Sequence, residues 1–170
     1  MEKNIAMIIA RKEFRDEEYI KPREIFENQG FKVSVFSSTL GESKGRFGLV
    51  AKVDKLIDEL NAKDFDALVF IGGGGASEYF DSPVTIKIAK DFHEGKKVLS
   101  AICIAPKILS NAGLLKGIRF CSFPSVKDDI IKEGGIYENK GVVISGKIIT
   151  SSGPEHATDF AKAIVKMLLS

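Results

Sequence analysis

Three runs of this chain are apolar at nearly every position: Asn4–Ala10, Ala67–Ile71 and Val98–Ile102. A strand with no polar side has no face to give to water, so it must be covered on both sides. The stretches between the runs carry helical spacing and supply that cover. Together they specify an α/β protein of three layers, with a mainly parallel sheet in the middle. Phe31–Phe36 alternates instead, with Phe31, Val33 and Val35 on one side, and reads as a fourth strand. Helices are expected over Glu17–Gln29, Thr85–His93, Pro106–Gly113, Pro124–Glu133 (capped by Ser122 or Ser125) and His156–Leu169. Within the first of these, Pro22 either starts the helix proper or kinks it. A short helix is expected over Val53–Leu60, and short strands over Gly48–Val53 and Ile118–Cys121. Gly141–Ser145 and Lys147–Thr150, split by Gly146, suggest a hairpin.

The 170 residues are enough for one domain, 1–170, with a self-sufficient core. A composition of 44% hydrophobic and 28% charged residues argues for a folded chain and against disorder. Net charge is +2, with Lys and Glu interspersed, so no patch for nucleic acid or a membrane surface stands out. The apolar run near the N-terminus is too short for a leader or a membrane span, and the expected location is cytoplasmic. Two cysteines, Cys103 and Cys121, make neither a disulfide framework nor a metal pattern, and two histidines far apart make none either. No metal and no cofactor is expected.

In open parallel sheets ligands bind beyond the carboxyl ends of the strands. Four segments arrive there: Arg11–Glu18, Gly72–Ala76, Cys103–Ala105 and Ser151–His156. Cys103 stands between the Val98–Ile102 strand and the helix that begins at Pro106, which is the arrangement of a nucleophile elbow. The helix N-terminus behind it favours negative charge, so a thiol there is expected to ionise more readily than a free one. The alternative is a small buried core residue, the role read for Cys121. Gly72-Gly-Gly-Gly75 lacks the Gly-Lys-Ser/Thr ending of a phosphate loop and the spacing of a dinucleotide fingerprint. It would still expose backbone N–H groups to a substrate. Glu18 is either a solvated residue of a first helical turn or a carboxyl set against the thiol.

The order and spacing of five segments then become informative. Glu18-Tyr-Ile-Lys-Pro22, Asp66-Ala-Leu-Val-Phe-Ile-Gly-Gly73, Ala101-Ile-Cys-Ile-Ala-Pro106, Phe123-Pro124 with Lys127-Asp-Asp, and Thr150-Ser-Ser-Gly-Pro154 together resemble the ThiJ/PfpI superfamily. The resemblance covers essentially the whole chain. It implies a flavodoxin-like sandwich shared with the class I glutamine amidotransferases. It also implies a nucleophilic Cys103, Glu18 as the acid that hydrogen-bonds it, and an oxyanion hole from the backbone amides of Gly73 and Ile104, beside Gly72. A homo-oligomer, dimer or hexamer, follows from the resemblance alone.

Departures from the family pattern shape the chemistry. Protease-like relatives carry His directly after the nucleophile, where this chain has Ile104. Deglycase-like relatives often carry His before the later Pro, where this chain has Phe123. Hydrolysis of a peptide needs a proton for a poor leaving amine, which an imidazole normally supplies. Addition of sulfur to a reactive aldehyde needs less help. The expected activity is therefore on small reactive carbonyls or glycated adducts, including those on proteins, with weak or absent peptidase activity. His156, after the last strand, is placed as the catalytic His of the amidotransferases is. It either leans toward Cys103 or caps the last helix. The competing reading is a non-catalytic, redox-responsive protein in which Cys103 is oxidised.

Overall fold

The computed structural model describes residues 2–170. Its seven-stranded sheet is built from β1 (Asn4–Ile8), β2 (Lys32–Ser37), β5 (Lys55–Leu56), β6 (Ala67–Phe70), β7 (Val98–Ile102), β10 (Val142–Ser145) and β11 (Ile148–Ser151). The spatial order is β10-β11-β7-β6-β1-β2-β5. All neighbours are parallel except β10 and β11, which form the expected hairpin. The three continuous apolar runs are therefore β1, β6 and β7, side by side at the centre of the sheet.

Their lack of a polar face is explained by two cores. Ile5, Met7, Val69 and Ile102 point to one side, where they meet Tyr19 and Phe26 of helix α1 (Asp16–Asn28) and Phe160 and Ile164 of α5 (Ala157–Leu169). Ala6, Ile8, Leu68, Phe70 and Leu99 point to the other. There they meet Ile88 and Phe92 of α2 (Pro83–Glu94), Ile108 and Leu109 of α3 (Pro106–Asn111), and Ile130 of α4 (Pro124–Lys132). The period of two, hidden in a run of apolar residues, reappears as this sorting between layers. Ser100 is a polar residue in mid-strand, and its hydroxyl donates to the Leu68 carbonyl at 2.8 Å.

Several boundaries differ from expectation. Helix α1 begins at Asp16 and runs through Pro22, which leaves the Glu18 carbonyl without its intrahelical donor. The helix expected over Val53–Leu60 does not form. Val53 ends strand β4 (Val50–Val53), which pairs with β3 (Gly41–Lys44) in a hairpin not foreseen from sequence. Lys55 and Leu56 add an edge strand, and a 3-10 turn over Ile57–Glu59 follows, closed by Glu59 accepting from the Leu56 amide at 2.9 Å. The helix-like spacing arose because Val53 serves one core and Ile57 the other. Neither Ser122 nor Ser125 caps α4; its N-cap is Phe123, with Pro124 as the first helical residue. The strand expected over Ile118–Cys121 shortens to β8 (Arg119–Phe120), which pairs with β9 (Ile136–Tyr137) outside the main sheet.

Candidate active site

After β1 the chain crosses the carboxyl edge of the sheet before α1 begins. That crossing is stitched to the glycine loop, because the Arg15 amide donates to the Gly72 carbonyl at 2.9 Å and the Gly75 amide to the Glu13 carbonyl at 3.1 Å. Glu18 is thereby set on the first turn of α1, facing inward, with none of its surface exposed. Its Oε1 accepts from the Gly72 amide at 3.0 Å. Its Oε2 has no hydrogen-bond partner, and the Cys103 thiol is the side chain that most favours the charged carboxyl.

Cys103 follows β7 directly and has φ +66°, in the left-handed region. A non-glycine residue there costs about 1–3 kcal/mol and persists only where the surroundings hold it. They do so on both sides: the Cys103 amide donates to the Ser151 carbonyl at 2.9 Å, and its carbonyl accepts from the Phe123 amide at 2.8 Å. The elbow expected from sequence is therefore real. Gly72 is what lets the two side chains meet. A Cβ on it would lie 2.5 Å from the Cys103 Cβ and 2.5 Å from Glu18 Oε1. Gly73, at φ +98°, turns the loop so that its amide, together with that of Ile104, bears on the sulfur and favours its ionised form.

The electrostatics correct one expectation. The thiol does not ionise more readily than a free one: burial, then the Glu18 charge, push it up to about 12, against the opposing pull of the Gly73 and Ile104 amides. Glu18 moves the same way. Removal from water pushes its carboxyl up to about 8, although the Cys103 thiol and the Gly72 amide favour its charged form. Two acids in contact in a dry site cannot both carry charge. At neutral pH the pair holds its protons, and the carboxyl is an acid able to donate.

The structure brings Glu18, Gly72, Gly73, Cys103 and Ile104 together. Gly72 differs from expectation in one respect, since its amide is committed to Glu18 and not presented to a substrate. Ile104 is half-buried against both cores. His156 ends a 3-10 turn with its ring against Gly141 and 3.7 Å from Glu155, and the groups that act on the Cys103 sulfur are Glu18 and the two amides. Phe123 is substantially exposed beside the elbow. Cys121 is fully buried, with its thiol donating to the Thr150 carbonyl at 3.3 Å.

Two residues escaped the sequence. Arg15 immediately precedes α1, and its guanidinium is raised first by a hydrogen bond to Glu17 and further by the charges of Glu18 and Cys103. Asp16 is buried and accepts from the Phe47 and Leu49 amides at 3.1 and 3.0 Å, fixing the β3–β4 turn beside Arg15. The only signal for either was a single arginine set among Glu13, Asp16, Glu17 and Glu18 at the end of the first strand. Among the described residues, no three His, Cys, Asp or Glu side chains gather to hold a metal ion. No helix among them is long and apolar enough to cross a membrane.

A cysteine in a left-handed elbow with a buried carboxyl against it is specific enough to compare with known proteins. The model of the DJ-1/PfpI family matches residues 3–167. The chain belongs to the DJ-1/PfpI family. It is 36% identical over 163 residues to a deglycase of Pyrococcus abyssi, covering 95% of this chain and 98% of that one. It is 34% identical over 169 residues to a Bacillus subtilis protein named "Putative cysteine protease YraA", covering 99% of each. Among solved structures, a ThiJ/PfpI domain protein from Brachyspira murdochii superposes with a TM-score of 0.96 at 33% identity, covering 98% of this chain and 96% of that one. DJ-1/PfpI members thus share the fold end to end with this chain, while the names of its relatives point to more than one reaction.

Proposed function

We propose that this DJ-1/PfpI member is a cysteine-dependent enzyme acting on small reactive carbonyls or glycated adducts, with Cys103 as nucleophile and Glu18 as proton donor. The observation that carries this reading is the fully buried Glu18 carboxyl set against a thiol in a left-handed elbow, with Gly72 as the spacer between them. In the addition step the sulfur bonds to the carbonyl carbon, and the C=O π pair moves onto oxygen. Glu18 gives its proton to that oxygen and takes the thiol proton, so the adduct is a hemithioacetal and the carboxyl returns to its starting state. The thiolate need not exist free, which suits a sulfur with a raised pKa. In this reading the amides of Gly73 and Ile104 stabilise charge as it develops, a role worth ~2.7–4 kcal/mol per donor in another enzyme.

This mechanism uses no imidazole. It suits an aldehyde better than an amide, because no leaving amine has to be protonated. Weak or absent peptidase activity is expected of it. A second reading is supported by the same donors: two amides and a protonated carboxyl around one sulfur would also hydrogen-bond the oxygens of a sulfinate formed by peroxide. The deciding experiment is methylglyoxal turnover by wild type and Cys103→Ser. Turnover lost in the variant supports the enzyme. No turnover by wild type, with ready conversion of Cys103 to sulfinate by peroxide, supports the redox reading instead.

A further inference from the structure

The mechanism leaves Arg15 unused. Its Nε donates to Glu17 Oε2 at 2.7 Å, whereas its two terminal nitrogens have no acceptor among the described residues. Its guanidinium carbon lies 4.9 Å from the centre of the Phe47 ring, and the Arg46 guanidinium lies 5.8 Å from the same centre. Phe47 is 65% exposed, which is unusual for so large an apolar side chain. It is nevertheless fixed, because buried Asp16 accepts from its amide and from that of Leu49. The Arg15 backbone is fixed too, since its amide donates to the Gly72 carbonyl, and Gly72 is the residue against which the Cys103 and Glu18 side chains converge. An arginine stacked on an aromatic ring keeps its edge free for a planar, two-oxygen acceptor.

We propose that Arg15, stacked on Phe47, is a specificity-determining residue that clamps the carboxylate of the substrate, so that the favoured carbonyl compounds are acidic ones whose aldehyde or ketone lies next to a carboxylate. The proposal rests on the assignment of Cys103 as nucleophile. It adds a substrate class to that assignment. With the carboxylate on the free edge of Arg15, the adjacent carbonyl is delivered toward the sulfur and the Gly73 and Ile104 amides. The Arg46 guanidinium on the same ring adds to the positive field at the entrance. Glu17 opposes it by occupying one edge of Arg15, which makes Glu17 a brake on the same interaction. The Arg15 backbone is anchored at 2.9 Å to the carbonyl of Gly72, the residue on which the Cys103 and Glu18 side chains converge, which ties the guanidinium to the rim of the site.

A pair of alkylating agents tests the clamp without requiring any turnover. Iodoacetate and iodoacetamide are nearly equal in size, and each forms the S–C bond with loss of iodide, but only the first carries a carboxylate. The measured quantity is the ratio of their rates at Cys103, read by mass spectrometry. Arg15→Met should lower that ratio about tenfold, in keeping with loss of a charge-assisted hydrogen bond, with the iodoacetamide rate little changed. Arg15→Lys should fall between, since an ammonium keeps the charge and loses the fork. Glu17→Gln should raise the ratio. A ratio unmoved by both Arg15 variants would overturn the clamp. The same variants are then compared for kcat/KM on glyoxylate against methylglyoxal, where Arg15→Met should lose selectively on glyoxylate. If neither aldehyde is turned over by wild type, the enzymatic reading fails, and the alkylation ratio still decides the role of Arg15.

Discussion

The two cysteines of this chain are both buried and both raised by burial, Cys103 to about 12 and Cys121 to about 11, yet their surroundings differ in kind. Cys121 gives its thiol proton to the Thr150 carbonyl, while its amide donates to the Thr150 hydroxyl at 3.0 Å. Its hydrogen-bond partners are neutral, and its backbone lies outside the left-handed region. Cys103 sits in a left-handed conformation, meets an ionisable carboxyl, and has two amides aimed at its sulfur. Burial alone neither makes nor excludes a reactive thiol. What separates the two is the presence of a partner able to hold and return a proton, and of donors placed for charge that is not yet there.

Removing each thiol in turn should separate the two sites most clearly. Cys103→Ala should abolish carbonyl turnover to background, whereas Cys121→Ala should keep turnover within about threefold and cost about 1–3 kcal/mol of stability in denaturant titration. Equal effects of the two on turnover would erase the distinction. Next in size is Gly72→Ala. Its Cβ would lie 2.5 Å from both the Cys103 Cβ and Glu18 Oε1, so turnover should fall nearly as far as in Cys103→Ala, with a clear loss of thermal stability.

Glu18→Gln should lower turnover roughly 10²-fold or more. It should also change how stability depends on pH. In the native state Glu18 keeps its proton up to about 8, while the unfolded chain releases it near 4.5, so the native state binds the extra proton between those values. Stability therefore falls as pH rises from about 4.5 to about 8, then levels with respect to this group. Glu18→Gln should flatten that fall in urea titrations across the window, and a variant with the wild-type slope would contradict the assignment. The smallest effect is expected at His156. Its ring is packed on Gly141 beside Glu155, so His156→Ala should leave kcat/KM near wild type, where a loss of about 10²-fold would restore an imidazole to the mechanism.

The centre of the sheet was legible because β1, β6 and β7 have no polar face, and only a doubly covered position satisfies such a run. The elbow was legible for a related reason, since a buried strand followed at once by a Pro-initiated helix leaves little room for anything but a sharp turn at Cys103. The outer edge was harder to read. Val53 and Ile57 belong to opposite cores, and their spacing imitates a helix only because the chain crosses the sheet edge between them. The β3 strand is polar and mostly exposed, so it carries no hydrophobic signal. At the site, the residue types and their meeting point were readable, but the direction of the thiol shift was not. A helix N-terminus argues for a lowered value. Only the three-dimensional arrangement shows that desolvation and the Glu18 charge outweigh it. Arg15 and Asp16 looked like members of a charged surface run, and their roles appear only once Gly72 and the β3–β4 turn are brought against them.

The chemistry proposed at this site requires Glu18 to hold a proton at neutral pH beside Cys103. Carbon-13 NMR of the Glu18 carboxyl, assigned by its absence in Glu18→Gln and followed from pH 4 to pH 10, tests this directly. A chemical shift typical of a protonated carboxyl is expected at pH 6–7, with a midpoint near 8. A midpoint between about 4 and 5, the range of an ordinary glutamate, would contradict it.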